Sequence, residues 1–266
     1  MEKIGLIAGG GRLPVIFARE ARKRGAYIIG FAIKEVASQD LDTACDKVHW
    51  LNTGQIKKFL FLLMVERIKR IVMLGKVDKS IVYGSVEEGQ DYLNLLKNAR
   101  DKSDYTILDR ITSELGKRGV EVKSGMEYLS DLLLPKGVLT KRHPSQEETE
   151  DISFGFSVAK ELARLDIGQT IVVKDKAVVS VEAMEGTNRT IERAAELCAG
   201  GFVVIKVSRP HQDMRWDVPV VGPETIKVIA ENKGKVLAIE EKRMFLVEKE
   251  TCVSLADSND ISIVVG

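Results

Sequence analysis

Two hydrophobic rhythms alternate along the first half of this chain. Residues 3–8 form a short apolar run. Past a glycine cluster, Leu13, Ile16, Phe17 and Ala21 recur at helical spacing with Arg19, Glu20, Arg22 and Lys23 opposite, until Gly25 ends the pattern. Further apolar runs at 26–33, 47–51 and 71–74 read as buried strands. Between the last two, 55–70 reads as a helix with Ile56, Phe59, Leu60, Leu63 and Ile68 turned inward. A helix over 101–118, with Ile107, Leu108, Ile111 and Leu115 on one face, leads to a strand at 120–123. Strand alternating with helix predicts a parallel sheet covered on both faces, a Rossmann-like α/β domain.

The pattern changes over 135–151, a polar stretch punctuated by Pro135 and Pro144 that is nearly free of apolar residues. The expected division is a Rossmann-like domain over 1–135, a linker over 136–150 and a mixed α+β domain over 151–266. In the last, a helix is expected at 152–165 with Phe156, Ala159, Leu162 and Ala163 inward, and a hairpin at 170–173 and 177–182. A helix at 189–199, a strand at 201–207, a helix at 223–232 and strands at 236–239, 244–247 and 261–265 complete the reading. Between 209 and 225 lies a loop dense in charge and closed by Pro219, Gly222 and Pro223. Proline removes an N–H and restricts its predecessor, so this loop reads as fixed but irregular, with Pro223 opening the helix.

Composition narrows the function. Of 266 residues 44% are hydrophobic and 30% charged, which fits a soluble globular chain. Forty basic against thirty-nine acidic residues leave a net charge of +1, removing the electrostatic argument for nucleic acid as a partner. Cys45, Cys198 and Cys252 have no paired spacing, so a reducing cytoplasm is expected, without a disulfide framework or zinc site. The opening residues lack a cationic leader followed by an apolar core. The longest apolar run, 59–65, falls far short of the ~20 residues a spanning helix needs.

Several positions then stand out for chemistry. Gly9, Gly10, Gly11 and Arg12 lie between the first strand and first helix, where open α/β sheets place phosphates. The dinucleotide fingerprint is imperfect, because Pro14 occupies its third small-residue position and Glu35 is the one acid near the end of strand two. The turn is therefore read as a phosphate contact or as a structural tight turn. Gly75 and Lys76 follow the fourth strand without Walker spacing, and Lys76 is either a phosphate ligand or a solvated lysine. His49, His143 and His211 are scattered, no G-x-S-x-G elbow occurs, and no cysteine has a nucleophile's setting.

What remains is oxygen chemistry. Glu182, Glu185, Thr187 and Asn188 follow one strand, and Gln212, Asp213 and Asp217 follow another. Such groups suit Mg²⁺, with Mn²⁺ as alternative, while Arg209 and Arg215 can grip phosphate oxygens. Bland readings stand beside these. Glu182 could be a surface residue, Thr187 or Asn188 a helix cap, and Asp213 with Arg215 a surface bridge. Asp217 sits between Trp216 and Val218-Pro219, an expensive place for an acid that binds nothing. Trp216 reads as core and His211 as exposed.

Three stretches taken together, residues 4–14, 181–187 and 212–222, resemble the UDP-2,3-diacylglucosamine pyrophosphatase family of lipid A biosynthesis. The type is the two-domain one, unrelated to calcineurin-like phosphatases, and the resemblance runs through the whole chain. It implies Mg²⁺-dependent hydrolysis of UDP-2,3-diacylglucosamine to 2,3-diacylglucosamine 1-phosphate (lipid X) and UMP. Water would attack the α-phosphorus in a cleft between a Rossmann-like domain and a carboxyl-terminal one. The family's essential aspartate maps to Asp217, with Asp213 in reserve, and both are the expected metal ligands. Asp217, Asp213 and Arg215 are thus the expected catalytic residues. Gly9, Gly10, Gly11, Arg12, Lys76, Glu185, Thr187, Asn188 and Gln212 are the expected substrate contacts. Asn188 departs from the aspartate often found there. The resemblance further implies a nucleotide-linked glycolipid as partner and peripheral contact of a cytoplasmic enzyme with the inner membrane, and it is compatible with a homo-oligomer. The competing reading is a non-catalytic nucleotide- or lipid-binding regulator. A nicotinamide-dependent oxidoreductase has the glycine turn alone in its favour.

Overall fold

The apolar runs of the first half become five parallel strands. They are β1 (Lys3–Ala8), β2 (Tyr27–Ile33), β3 (Lys47–Leu51), β4 (Arg70–Leu74) and β5 (Glu121–Val122), in the order β3-β2-β1-β4-β5. The structure is a computed structural model and describes residues 1–76, 104–215 and 217–266. Expectations for residues 77–80 and 101–103, for the side chains of 104–107 and for Trp216 lie outside the described residues. Described residues fall into two compact units. Unit 1 is Met1–Ser130 together with Asp213–Asp217, and unit 2 is Asp131–Gln212 together with Val218–Gly266.

In unit 1, strand alternation distributes residues to two faces. Ile71 and Met73 join a core with Leu63 of helix α3 (Ile56–Val65) and Leu115 of α4 (Asp104–Lys117). Val72 points the other way, toward Phe17 of α1 (Leu13–Lys23). Two smaller helices, α2 (Leu41–Ala44) and α5 (Met126–Leu129), pack against α1. Helix α3 stops earlier than its pattern predicts. Arg67 adopts a left-handed φ of 54°, and Ile68 then drops into the core while its N–H bonds Leu63 O at 3.0 Å.

Unit 2 carries the mixed sheet β6-β13-β11-β9-β7-β8. Strands β9 (Val203–Lys206), β11 (Val236–Ile239) and β13 (Ser262–Val265) are parallel. The hairpin β7 (Thr170–Lys174) and β8 (Ala177–Val181) and the short β6 (Gly137–Val138) run antiparallel to their neighbours. One face is covered by α6 (Gln146–Arg164). The other is covered by α7 (Thr187–Cys198), α8 (Pro223–Glu231) and α9 (Lys249–Ser258), the last a helix absent from the pattern reading. A separate parallel pair joins β10 (Val220–Val221), within the charged loop, to β12 (Phe245–Leu246), which is shorter than the strand expected at 244–247.

Helix α6 begins six residues before the apolar pattern starts, because a capping box sets its end. Ser145 Oγ accepts from Glu148 N at 3.2 Å while Glu148 Oε2 accepts from Ser145 N at 2.8 Å. Residues 136–150 therefore hold β6 and the first turn of α6. The buried Asp151 of α6 secures the β7–β8 hairpin by accepting from Asp175 N at 3.0 Å and Lys176 N at 2.6 Å. Both of those turn residues have left-handed φ, as this two-residue turn requires.

Candidate functional site

At the carboxyl ends of β1 and β4 in unit 1, two loops are joined backbone to backbone. Gly9 N donates to Leu74 O at 2.9 Å, Gly10 N to Lys76 O at 2.8 Å, and Lys76 N to Gly10 O at 3.0 Å. A Cβ at Gly9 would lie 2.7 Å from Lys76 O, and one at Gly75 would lie 2.7 Å from Gly10 O, so glycine is dictated by this approach. The amides of Gly9 and Gly10 are thus occupied by the neighbouring loop. Gly11, with φ of 92° and open space around its α-carbon, starts the passage to α1. Arg12 is ion-paired with Asp40. The structure therefore brings Gly9, Gly10 and Lys76 together.

The Asp213–Asp217 segment groups with unit 1. Met214 O accepts from Ser124 Oγ at 2.9 Å, and Asp217 N donates to Asp213 O at 2.9 Å, which holds the segment as a turn against the connection after β5. Asp213 forms a fork with Arg215, Nε to Oδ1 at 2.9 Å and Nη2 to Oδ2 at 2.6 Å, and also accepts from Arg215 N at 3.0 Å. Partial burial pushes the Asp213 pKa up, but the Arg215 contacts outweigh it and leave the carboxyl below the ordinary aspartate value. Asp217 is half-buried.

In unit 2 the sequence pattern understates one residue. Lys206 ends the apolar strand β9, on the parity of Val204 and so on the face of α7, and it is only 9% exposed. Its Nζ donates to Thr187 Oγ1 at 2.8 Å and to Val220 O at 3.4 Å. Thr187 Oγ1 also donates to Glu182 Oε1 at 3.0 Å and lies 3.2 Å from Thr170 Oγ1. Thr187 opens α7 without capping it. The cap position is Gly186, whose φ of 81° suits glycine, and no side chain caps this end. The cap reading of Thr187 and Asn188 therefore does not hold, and the threonine hydroxyl serves the lysine cluster instead. Asn188 is half-buried on the first turn of α7. Glu185 pairs with Arg193, and hydrogen bonds from its own backbone amide and from Arg193 lower its pKa. The signal that could have exposed Lys206 is a cation closing a run of buried β-branched residues, where a charge is costly unless compensated.

The loop leaving β9 is anchored by Glu240, which accepts from Ser208 N and Oγ, both at 2.8 Å, and pairs with Lys160. Burial pushes its pKa up, yet Lys160 and Ser208 bring it below the usual glutamate value. A group depressed in this way adds stability above its unfolded pKa and loses it as pH falls through the folded value. Glu240→Gln should therefore lower the melting temperature at neutral pH, costing about 2 kcal/mol. Its difference from the parent should shrink in thermal melts as pH drops below the usual glutamate range. Beyond Ser208, Arg209 pairs with Asp166, and Gln212 Oε1 accepts from Arg209 N at 2.7 Å. With the Gln169 amide oxygen turned to Arg209 Nη1 at 2.7 Å, its nitrogen donates to Gln212 Oε1 at 3.1 Å. Gln212 Nε2 is buried without a hydrogen-bond partner among the described residues. Cys45 and Cys252 are buried, which pushes both thiols up to about 12, outside the range of a nucleophilic thiolate at neutral pH.

Among the described residues no group of three or more His, Cys, Asp or Glu side chains is arranged to hold a metal ion. A divalent ion with one or two carboxylates and substrate phosphates as ligands remains compatible with this donor set, since Mg²⁺ is often bound in that way. No helix among the described residues is long and apolar enough to cross a membrane.

Comparison with known proteins covers both units. The family described as LpxI N-terminal domain matches residues 3–132, and that described as LpxI C-terminal domain matches residues 135–264. A protein of Caulobacter vibrioides named UDP-2,3-diacylglucosamine pyrophosphatase LpxI is 32% identical over 269 residues, covering 97% of this chain and 95% of that protein. Among solved structures, glycinamide-RNase-transformylase T from Mycobacterium tuberculosis is 13% identical over 69% of this chain and 44% of its own, with a TM-score of 0.27. Phosphoribosylglycinamide synthetase from Anaerococcus prevotii is 11% identical over 72% and 42%, with a TM-score of 0.25. The chain spans less than half of either, and neither score carries an argument.

Proposed function

The chain belongs to the LpxI family, and from that membership we propose that it hydrolyses the pyrophosphate bond of UDP-2,3-diacylglucosamine. The observation that carries the proposal is the match to the Caulobacter pyrophosphatase along nearly the full length of both chains. A water oxygen forms a bond to the α-phosphorus and the bond from that phosphorus to the bridging oxygen breaks. The bridging oxygen leaves with the β-phosphate, giving 2,3-diacylglucosamine 1-phosphate and UMP.

The proposed roles follow from the chemistry of each group. Asp217 accepts the proton of the attacking water or orients it, and Arg215, held by its fork with Asp213, supplies positive charge to phosphate oxygens. Lys206, held by Thr187 next to the amino end of α7, is a cationic donor in a setting that favours an anion. The orphaned Gln212 Nε2 is a donor suited to a substrate oxygen. Gly11, Arg12, Lys76, Glu185 and Asn188 stay candidate contacts, whereas the Gly9 and Gly10 amides are already bonded. Mg²⁺, or Mn²⁺ in its place, would be held by Asp217 and, less readily, by Asp213, whose oxygens Arg215 already engages. Such an ion would supply Lewis-acid polarisation of the diphosphate. Because the substrate is a lipid, the enzyme works in peripheral contact with a membrane.

Purified protein given the substrate in detergent with Mg²⁺ should release UMP, and in ¹⁸O water the label should enter UMP rather than the lipid phosphate. Chelation with EDTA should stop release and Mg²⁺ should restore it. Tight binding without UMP would instead identify a non-catalytic regulator.

A further inference from the structure

Helix α3 is apolar beyond the need of its core. Of its ten residues only Leu63 is fully buried, while Phe61 is 57%, Met64 69% and Val65 54% exposed. These three lie on the outer face, and Lys57 and Lys58 occupy the same face one turn earlier. The exposed positions between 57 and 70 are Lys57, Lys58, Phe61, Met64, Val65, Arg67, Lys69 and Arg70, which are apolar or cationic without exception. The acid of this stretch, Glu66, is drawn inward, bonded to Lys47 at 2.5 Å and to His49 at 2.8 Å, and these partners hold its pKa low against the opposing effect of burial. Arg70 pairs with Glu2, and Lys3 Nζ donates to Glu66 O at 3.0 Å.

We propose that the outer face of α3 is a bilayer-contact surface selective for anionic lipid. Three neighbouring apolar side chains can enter the headgroup boundary, and the flanking cations match a negatively charged leaflet. A protein partner of ordinary charge would require acids or hydrogen-bonding groups at the rim, and this stretch exposes no acid. The helix is too short to span, so the contact is superficial and reversible. The proposal deepens the reading of the chain as an enzyme of a membrane lipid, but its test does not depend on turnover.

The test is flotation of the full-length protein with extruded vesicles of phosphatidylcholine containing phosphatidylglycerol, against phosphatidylcholine alone. Binding should require the anionic lipid and weaken with salt. Phe61→Glu with Met64→Glu should reduce it about tenfold, and Lys58→Glu with Lys69→Glu should reduce it about as much. All four positions are exposed, so thermal melts should match the parent, and UMP release from detergent-dispersed substrate should stay within about twofold. Release from vesicle-embedded substrate should fall in step with binding. Flotation equal to the parent in both doubly substituted proteins overturns the proposal, as does absence of parent binding to anionic vesicles. A halved solution mass in the Phe61/Met64 variant also overturns it, because the face would then be a contact between copies. Vesicle binding without UMP release from any substrate leaves this surface standing and rejects the enzymatic reading instead.

Discussion

Asp217→Asn is expected to lower kcat for UMP release by about a thousandfold, the scale of a lost proton acceptor or ion ligand. The bond from Asp217 N to Asp213 O and the anchoring of Met214 O on Ser124 help to hold residue 217 in place. Asparagine keeps the side-chain shape and loses the charge. At Asp213 both oxygens are engaged by Arg215. Asp213→Asn should act through loss of the fork and raise KM as Arg215 drifts, with a smaller effect on kcat. Turnover by the Asp217 variant within tenfold of the parent would remove that residue from the chemistry.

Lys206→Met should cost about a hundredfold in kcat/KM, roughly 2.7 kcal/mol of lost transition-state stabilisation. The effect on melting temperature should be small beside the loss of activity. A buried ammonium loses its hydration on folding, and an unbranched apolar chain of similar length fills the same space without that penalty. Thr187 retains Thr170 and Glu182 as neighbours and Glu182 retains Gln169 N at 3.3 Å, while Val220 O loses the bond from the ammonium. Activity falling far more than stability is the signature of a residue retained for its ligand. Full activity in the methionine variant would reduce Lys206 to a structural strand end.

The parallel sheet of unit 1 was legible because its strands are continuous apolar runs punctuated by glycine, and periodicity detects both. Helix α9 was missed because only Cys252 and Ala256 are fully buried on it, too few for a stripe. Helix α6 started early because its end is dictated by Ser145 and Glu148, a polar signal that a search for apolar spacing passes over. The glycine turn was legible as a turn, but its purpose was not. Whether Gly9 leaves its amide open or gives it to Leu74 depends on a loop 65 residues away in sequence. Thr187 stood out by its motif, whereas Lys206 did not, because a single lysine after Val203, Val204 and Ile205 looks like the place where a strand reaches water. Only the tertiary fold shows that it stays inside.

The grouping of Asp213–Asp217 with unit 1 also bears on how the protein is made. The chain passes between its two units after Ser130, Gln212 and Asp217, so unit 1 is not finished when its first 130 residues leave the ribosome. Its last piece arrives more than eighty residues later, after the hairpin, α7 and β9 of unit 2 have been synthesised. A gene fragment ending at Ser130 encodes a sheet without that segment, and a fragment starting at Asp131 carries the segment without the surface that orders it. The acids therefore acquire their setting only at a late stage of synthesis, which ties their placement to completion of the fold.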